Sequence, residues 1–225
     1  MGTITRNFAN NLTTSGLLKA AAFNNDSFDN VTSVPSGSVE ANGMVFIKKL
    51  TASGSADLSF VDGSNGVVLD NTYKEYYFTF NNIHSAAESG AFVFNVSIDG
   101  GSNYNIAKTS TFYRAYNQES DINSGFGYEV NSDLAQGTGD QRITEAENGT
   151  DNDQSTSGFM QIFNPSSTTF VKHFISSASM YHKTDYHVQS HMGGYANTTS
   201  SINAIRFKLT SGNIDAGDIC LYGIA

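Results

Sequence analysis

Four of the five histidines fall in one stretch, His173, His182, His187 and His191, with Asp185 among them. Imidazole is the commonest metal ligand in proteins, so this is the one ligand-like cluster in the chain. Spacing decides what it can hold. On a helix, His187 and His191 would share a face and could bind Zn²⁺ together. Tyr186-His187-Val188-Gln189 followed by Gly193-Gly194 reads instead as strand, where four residues span roughly 13 Å. Those two cannot reach one ion, and only a hairpin at Lys183-Thr184-Asp185 would let His182 and His187 converge.

Two segments place aromatic rings beside polar and charged groups: Tyr113-Arg114-Ala115-Tyr116 and Tyr181-His182-Lys183-Thr184-Asp185-Tyr186-His187. A sugar ring stacks on an aromatic face while neighbouring groups take its hydroxyls, and protein interfaces use the same mixture. Tyr113, Tyr116, Tyr181, His182, Asp185, Tyr186 and His187 are therefore the candidate glycan or partner contacts, with plain cross-strand packing as the alternative. No G-x-S-x-G elbow, phosphate loop, G-x-G-x-x-G fingerprint or H-E-x-x-H pair occurs. The 21 acidic residues single out no catalytic pair,. Asp151-Asn152-Asp153-Gln154-Ser155 begins like a calcium loop, but Thr156 and Ile162 stand where an EF-hand needs Gly and Glu. The expectation is a non-enzyme without catalytic residues, metal ligands or cofactor.

The elements that must position these residues are strands. Charged residues are only 15% of the chain, with 21 Gly, 2 Pro, 16 Phe and 11 Tyr. Short aromatic and β-branched runs separated by Gly, Asn, Asp and Ser predict strands near 43–50, 56–61, 73–82, 90–99, 104–114, 125–131, 157–163, 168–182, 186–195, 202–210 and 217–224. Alternation puts Phe92, Phe94, Val96 and Ile98 on one face opposite a polar, wet one. It likewise groups Tyr76, Phe78 and Phe80, and Ile205, Phe207 and Leu209 with Arg206 and Lys208 pointing out. One wet face implies antiparallel sheets. Asp99-Gly100-Gly101-Ser102-Asn103 and Ser211-Gly212-Asn213 read as hairpin turns. The fold class is all-β: an antiparallel β-sandwich over 43–225, jelly-roll-like first and immunoglobulin-like second. The polar stretch 132–157 reads as a long surface loop and a candidate contact region.

Residues 1–42 differ. They are small and polar with isolated hydrophobes, and they predict an extended N-terminal arm for anchoring or assembly, with Leu17, Leu18, Phe23 and Phe28 as its anchors. No run has the length of a signal peptide core or a membrane span, and Arg6 breaks the myristoylation pattern that Gly2 begins. Membrane insertion is not expected. A formal net charge of −9 argues against nucleic acid as a partner,. The single cysteine, Cys220, excludes an intrachain disulfide and reads as a small buried hydrophobe. N-x-[ST] sequons at Asn11, Asn30, Asn95, Asn148 and Asn197 are what chance supplies in a chain this rich in Asn, Ser and Thr.

Four stretches carry a resemblance. They are Tyr73-Lys74-Glu75-Tyr76, Ser97-Ile98-Asp99-Gly100-Gly101-Ser102-Asn103-Tyr104, Phe163-Asn164-Pro165-Ser166, and the ending Ser211-Gly212-Asn213-Ile214-Asp215-Ala216-Gly217-Asp218-Ile219-Cys220-Leu221-Tyr222-Gly223. Over roughly 44–225 the chain resembles tail-fibre-like and appendage proteins of the virions of marine tailed bacteriophages of the cyanophage type. The resemblance implies a β-sandwich head with an N-terminal arm, located on the virion as part of a tail fibre or surface appendage. It implies other virion proteins as partners, a homo-oligomer with a trimer favoured, and a host-surface glycan as a further contact. The tight H-x-H spacing that holds an axial metal in some trimeric fibres is absent, as are the repeats of a long shaft. A capsid decoration protein or a stand-alone carbohydrate-binding module is the alternative.

Overall fold

The computed structural model describes residues 43–225. The arm expected over 1–42, with Leu17, Leu18, Phe23 and Phe28, lies outside the described residues. Twelve strands follow in chain order: β1 (Met44–Thr51), β2 (Leu58–Val61), β3 (Glu75–Ser85), β4 (Phe92–Ser97), β5 (Lys108–Gln118), β6 (Ser124–Tyr128), β7 (Gln141–Arg142), β8 (Thr156–Phe163), β9 (Lys172–His182), β10 (Tyr186–Ala196), β11 (Ala204–Leu209) and β12 (Ile214–Ile224). They form an eight-stranded sheet in the order β1-β12-β3-β8-β9-β10-β5-β6 and a four-stranded sheet in the order β2-β11-β4-β7. Every pairing is antiparallel. Residues 43–225 form a two-sheet β-sandwich, and among them there is no helix that could cross a membrane.

Burial explains why these runs become strands. Tyr76, Phe78 and Phe80 alternate inward on β3, and Ile205, Phe207 and Leu209 do so on β11. Phe207 is the hub: its ring centroid lies 6.2 Å from Phe60, 5.1 Å from Phe78, 5.3 Å from Phe80, 6.0 Å from Phe92 and 6.5 Å from Phe94. Such ring pairs, mostly edge-on or tilted, add attraction beyond area burial. At Gly158 on β8 the sheet needs the missing side chain, since a Cβ there would meet the Ser177 carbonyl oxygen at 2.3 Å. Backbone cannot swing aside as a side-chain tip can. Gly158→Ala is expected to cost roughly 2 kcal/mol or more in denaturant unfolding; an unchanged midpoint would show that β8 and β9 sit further apart.

Three expectations are corrected. First, β4 has no wet face: Val93, Asn95 and Ser97 are as buried as Phe92, Phe94 and Val96, while Ile98, just beyond the strand, is 38% exposed. The covering comes from the 99–104 turn and from the segment after β6. Asn95 Nδ2 donates to the Tyr104 and Thr138 carbonyls and to Asp140. Second, the turns at 99–103 and 211–213 are real turns, with Gly100 at φ 71° and Gly101 at φ 85°. They are not hairpins, because each joins a strand of the small sheet to one of the large sheet. Third, the 132–157 stretch is no solvated loop. It contains β7, and Ser132, Gln141, Ile143, Thr144, Glu145, Asn148 and Gln154 are all buried. Its amides serve as backbone partners: Gln141 Nε2 donates to the Ser132 carbonyl at 2.9 Å and Asn148 Nδ2 to that of Gly90 at 2.8 Å. A polar composition is compatible with burial when each group finds such a partner.

Among the described residues two lysines are buried completely, Lys108 and Lys172. Lys108 Nζ donates to Asn95 Oδ1 at 2.7 Å and to the Ile106 carbonyl at 2.8 Å. Burial pushes its pKa down to about 8, against the opposing pull of Asp140. Of the sequons within the described residues, Asn95 and Asn148 are buried with their amides engaged. Cys220 is buried, as expected.

Candidate functional site

Register places six of the seven sequence candidates on two opposite sides of the large sheet, and the seventh, Asp185, sits in the turn between β9 and β10. Facing partners across an antiparallel pair point the same way. His187 faces Tyr181 and Asn117, while Tyr186 faces His182 and Gln118. His182 and His187 therefore point to opposite faces, and the hairpin at 183–185, with Asp185 at φ 63°, does not bring them together. Among the described residues no three His, Cys, Asp or Glu side chains converge as a metal site would require.

Tyr113, Tyr181 and His187 lie on the outer face, turned away from the core. One row across the strands reads Tyr128, Tyr113, His191, Ser177, Phe159, Thr79 and Cys220. The next contains Ile175, Gln161, Tyr77, Tyr222 and Phe46. Tyr113 stacks on His191 at 5.1 Å, Tyr77 on Phe159 at 5.2 Å, and Phe46 meets Tyr222 edge-on at 5.7 Å. Between the Tyr113 and Phe159 walls runs a trough of about 320 Å³ floored by Ile175, Ser177 and Gly193. Phe126 and Tyr128, on edge strand β6, stay 74% and 51% exposed. Towards the Tyr181 end the same face turns hydroxylic. A hollow of about 620 Å³ there includes Asn117, Ser157, Ser179, Tyr181 and His187. Ser179 Oγ and His187 Nε2 are 3.0 Å apart, and Tyr181 donates to Asp185 at 3.4 Å. The neighbouring Glu119 carboxylate, with Asp185 adding to it, pushes the Tyr181 phenol up to about 12.

Tyr116, His182 and Tyr186 lie on the other side, at the end of the sandwich, and the structure does bring these three together. They line a pocket of about 290 Å³ with Arg114, Asn123 and Glu145. Tyr116 and Tyr186 meet edge-on at 5.8 Å and His182 meets Tyr186 at 5.6 Å. Arg114, two residues before Tyr116 on β5, lies 5.0 Å from the Tyr116 ring centroid. Its Nε donates to Glu129 at 2.7 Å and its other arm to Glu145. Burial raises the Glu145 pKa although Arg114 opposes it, and burial lowers that of His182 although Glu147 opposes it. The imidazole is thus biased towards its neutral form, while the carboxyl is held in an ion pair with Arg114.

No protein-family model, curated protein or solved structure matches the chain. The site therefore rests on its own geometry. Sequence reading found Tyr116, His182 and Tyr186 through their segments, and Arg114 inside one of them. It did not find Glu145, which arrives from the buried 132–157 segment, nor the Phe159 and Tyr77 pair, whose strands are far apart in sequence. Alternation on β8 and β3 marks those rings as outward, but nothing along the chain shows that the strands are neighbours.

Proposed function

We propose that the chain is a structural protein of a phage virion, part of a tail fibre or surface appendage, that assembles as a homo-oligomer and contacts a glycan on the host surface. The observation that supports assembly is the aromatic outer face of the eight-stranded sheet. The free face of an antiparallel sheet is ordinarily polar. Here Phe46, Tyr77, Phe159, Tyr222, Ile175, Tyr113 and His191 form a broad apolar surface, and large exposed patches of this kind mark contact with another surface. In this reading residues 1–42 attach the subunit to the particle, the sandwich faces outward, and the chain is not an enzyme. The resemblance in the Tyr73, Ser97, Phe163 and Ser211 stretches points the same way. A capsid decoration protein would use the same surfaces.

Light scattering tests this across a range of concentrations. The expected mass is three times the 24.2 kDa of one chain. Phe159→Asp, which sets a charge in the middle of the face, is expected to yield single chains with an unchanged unfolding midpoint. A single-chain mass for the unmodified protein at every concentration would overturn the homo-oligomer.

A further inference from the structure

The geometry points to the pocket formed by Arg114, Tyr116, Asn123, Glu145, His182 and Tyr186 as a binding site for one uncharged sugar residue. The inference deepens the host-glycan part of the proposed function and rests on that part alone; the outer face and the oligomeric state do not enter it.

Size comes first. At about 290 Å³ the pocket stands at the lower end of the range for small-molecule sites, which suits a single ring better than a chain laid across strands,. Its walls supply what a sugar ring needs: two tyrosine rings for the C–H surface and several hydrogen-bonding groups around them. Tyr186 Oη accepts from Asn123 Nδ2 at 3.0 Å, which leaves the phenol proton to donate elsewhere. His182 Nδ1 accepts the Thr184 backbone N–H at 3.1 Å, so the neutral ring carries its proton on Nε2 as a donor.

The second observation is an orphan. Glu145 is buried, one of its oxygens is held by Arg114, and the other, Oε1, has no hydrogen-bond partner. A buried polar atom left unpaired is costly, and native structures rarely keep one without a reason. Oε1 itself is closed to solvent in the empty pocket, so a sugar hydroxyl supplies the missing donor only when its entry shifts a neighbouring side chain and uncovers that oxygen.

Charge sets the class of sugar. Arg114 is already shared between Glu129 and Glu145, and Lys183 is paired with Glu147. Among the described residues around the pocket no cation is left over for a carboxylate or sulfate, and the chain carries a net −9. A metal ion is disfavoured too, because among the described residues no three His, Cys, Asp or Glu side chains converge here. Neutral hydroxyls fit both restrictions.

The test is a titration of the full chain, labelled for NMR of its tyrosine and histidine rings, with glucose, galactose, mannose and N-acetylglucosamine, each to ~50 mM, the range needed for a millimolar Kd. At least one sugar is expected to shift the Tyr116, Tyr186 and His182 signals saturably. Its uronate counterpart should bind ~10-fold more weakly. Tyr186→Phe removes one hydroxyl at a half-buried position, and should weaken binding ~5-fold without moving the unfolding midpoint. No saturable shift with any of the four sugars, shifts confined to outer-face residues, or equal binding of the uronate would each overturn the assignment. The mass measurement can fail or succeed independently of all of these.

Discussion

Phe207→Ala is expected to destabilise the sandwich by about 3–5 kcal/mol, the range for deleting a buried aromatic ring. Phe207 is fully buried, and its ring touches aromatic partners from both sheets. Its loss would open a void bordered by strands that cannot close on it, because their hydrogen-bond registers hold them in place. Urea unfolding followed by tyrosine fluorescence measures the effect. Phe170→Ala is the control, since that ring is 69% exposed and should change stability by no more than ~0.5 kcal/mol,. If both variants cost less than ~1 kcal/mol, Phe207 is not the hub that the packing indicates.

Raising the pH from about 7 to about 9.5 is expected to stabilise the fold by about 2 kcal/mol through Lys108 alone. An unfolded lysine holds its proton up to its ordinary pKa of 10.5, whereas burial brings that of Lys108 down to about 8 in the folded chain. Between those two values the unfolded chain binds more protons, so stability rises with pH across that window. Lys108→Met keeps the aliphatic stem and removes the titrating group, and should flatten the slope. A slope unchanged in that variant would show that Lys108 does not carry it. The measurement belongs below about pH 10, because burial pushes the Tyr76 phenol up to about 12. Its ionisation in the unfolded state would then pull stability the other way.

The fold was legible in the sequence wherever burial on one face produced a period of two. Tyr76, Phe78 and Phe80, and likewise Ile205, Phe207 and Leu209, follow that rule, and the sandwich follows from them. Periodicity reports which residues share a face, but not what covers the opposite one. On β4 the polar Asn95 and Ser97 looked wet and are buried: the 138–140 segment binds Asn95 through Thr138 and Asp140, and the 99–101 turn takes the Ser97 hydroxyl through Asp99 and Gly101. Composition misled in the same way at 132–157, because amides and hydroxyls that pair with backbone are as polar in the sequence as those that meet water. Turn chemistry at Gly100 and Gly101 revealed a reversal without revealing that the chain changes sheets there. The candidate pocket was half legible. Tyr116, His182 and Tyr186 stood out as aromatic and polar mixtures, but the contact between Arg114 and Glu145 is a product of the tertiary fold.

The pairing of β1 with β12 has a mechanical consequence. Met44 faces Ile224 at one pole of the large sheet, and Thr51 faces Asp218 towards the other, where the Lys183–Asp185 turn lies. A pull between Met44 and that turn runs parallel to the strands. It would load the β1–β12 hydrogen bonds side by side, in shear, so that they must fail together. A pull between Met44 and Ala225 would peel the same bonds apart one after another. The sandwich should therefore resist tension along its long axis far better than tension applied at its two neighbouring strand ends. A subunit held near Met44 and tugged at the opposite pole would meet that tension in its stronger direction.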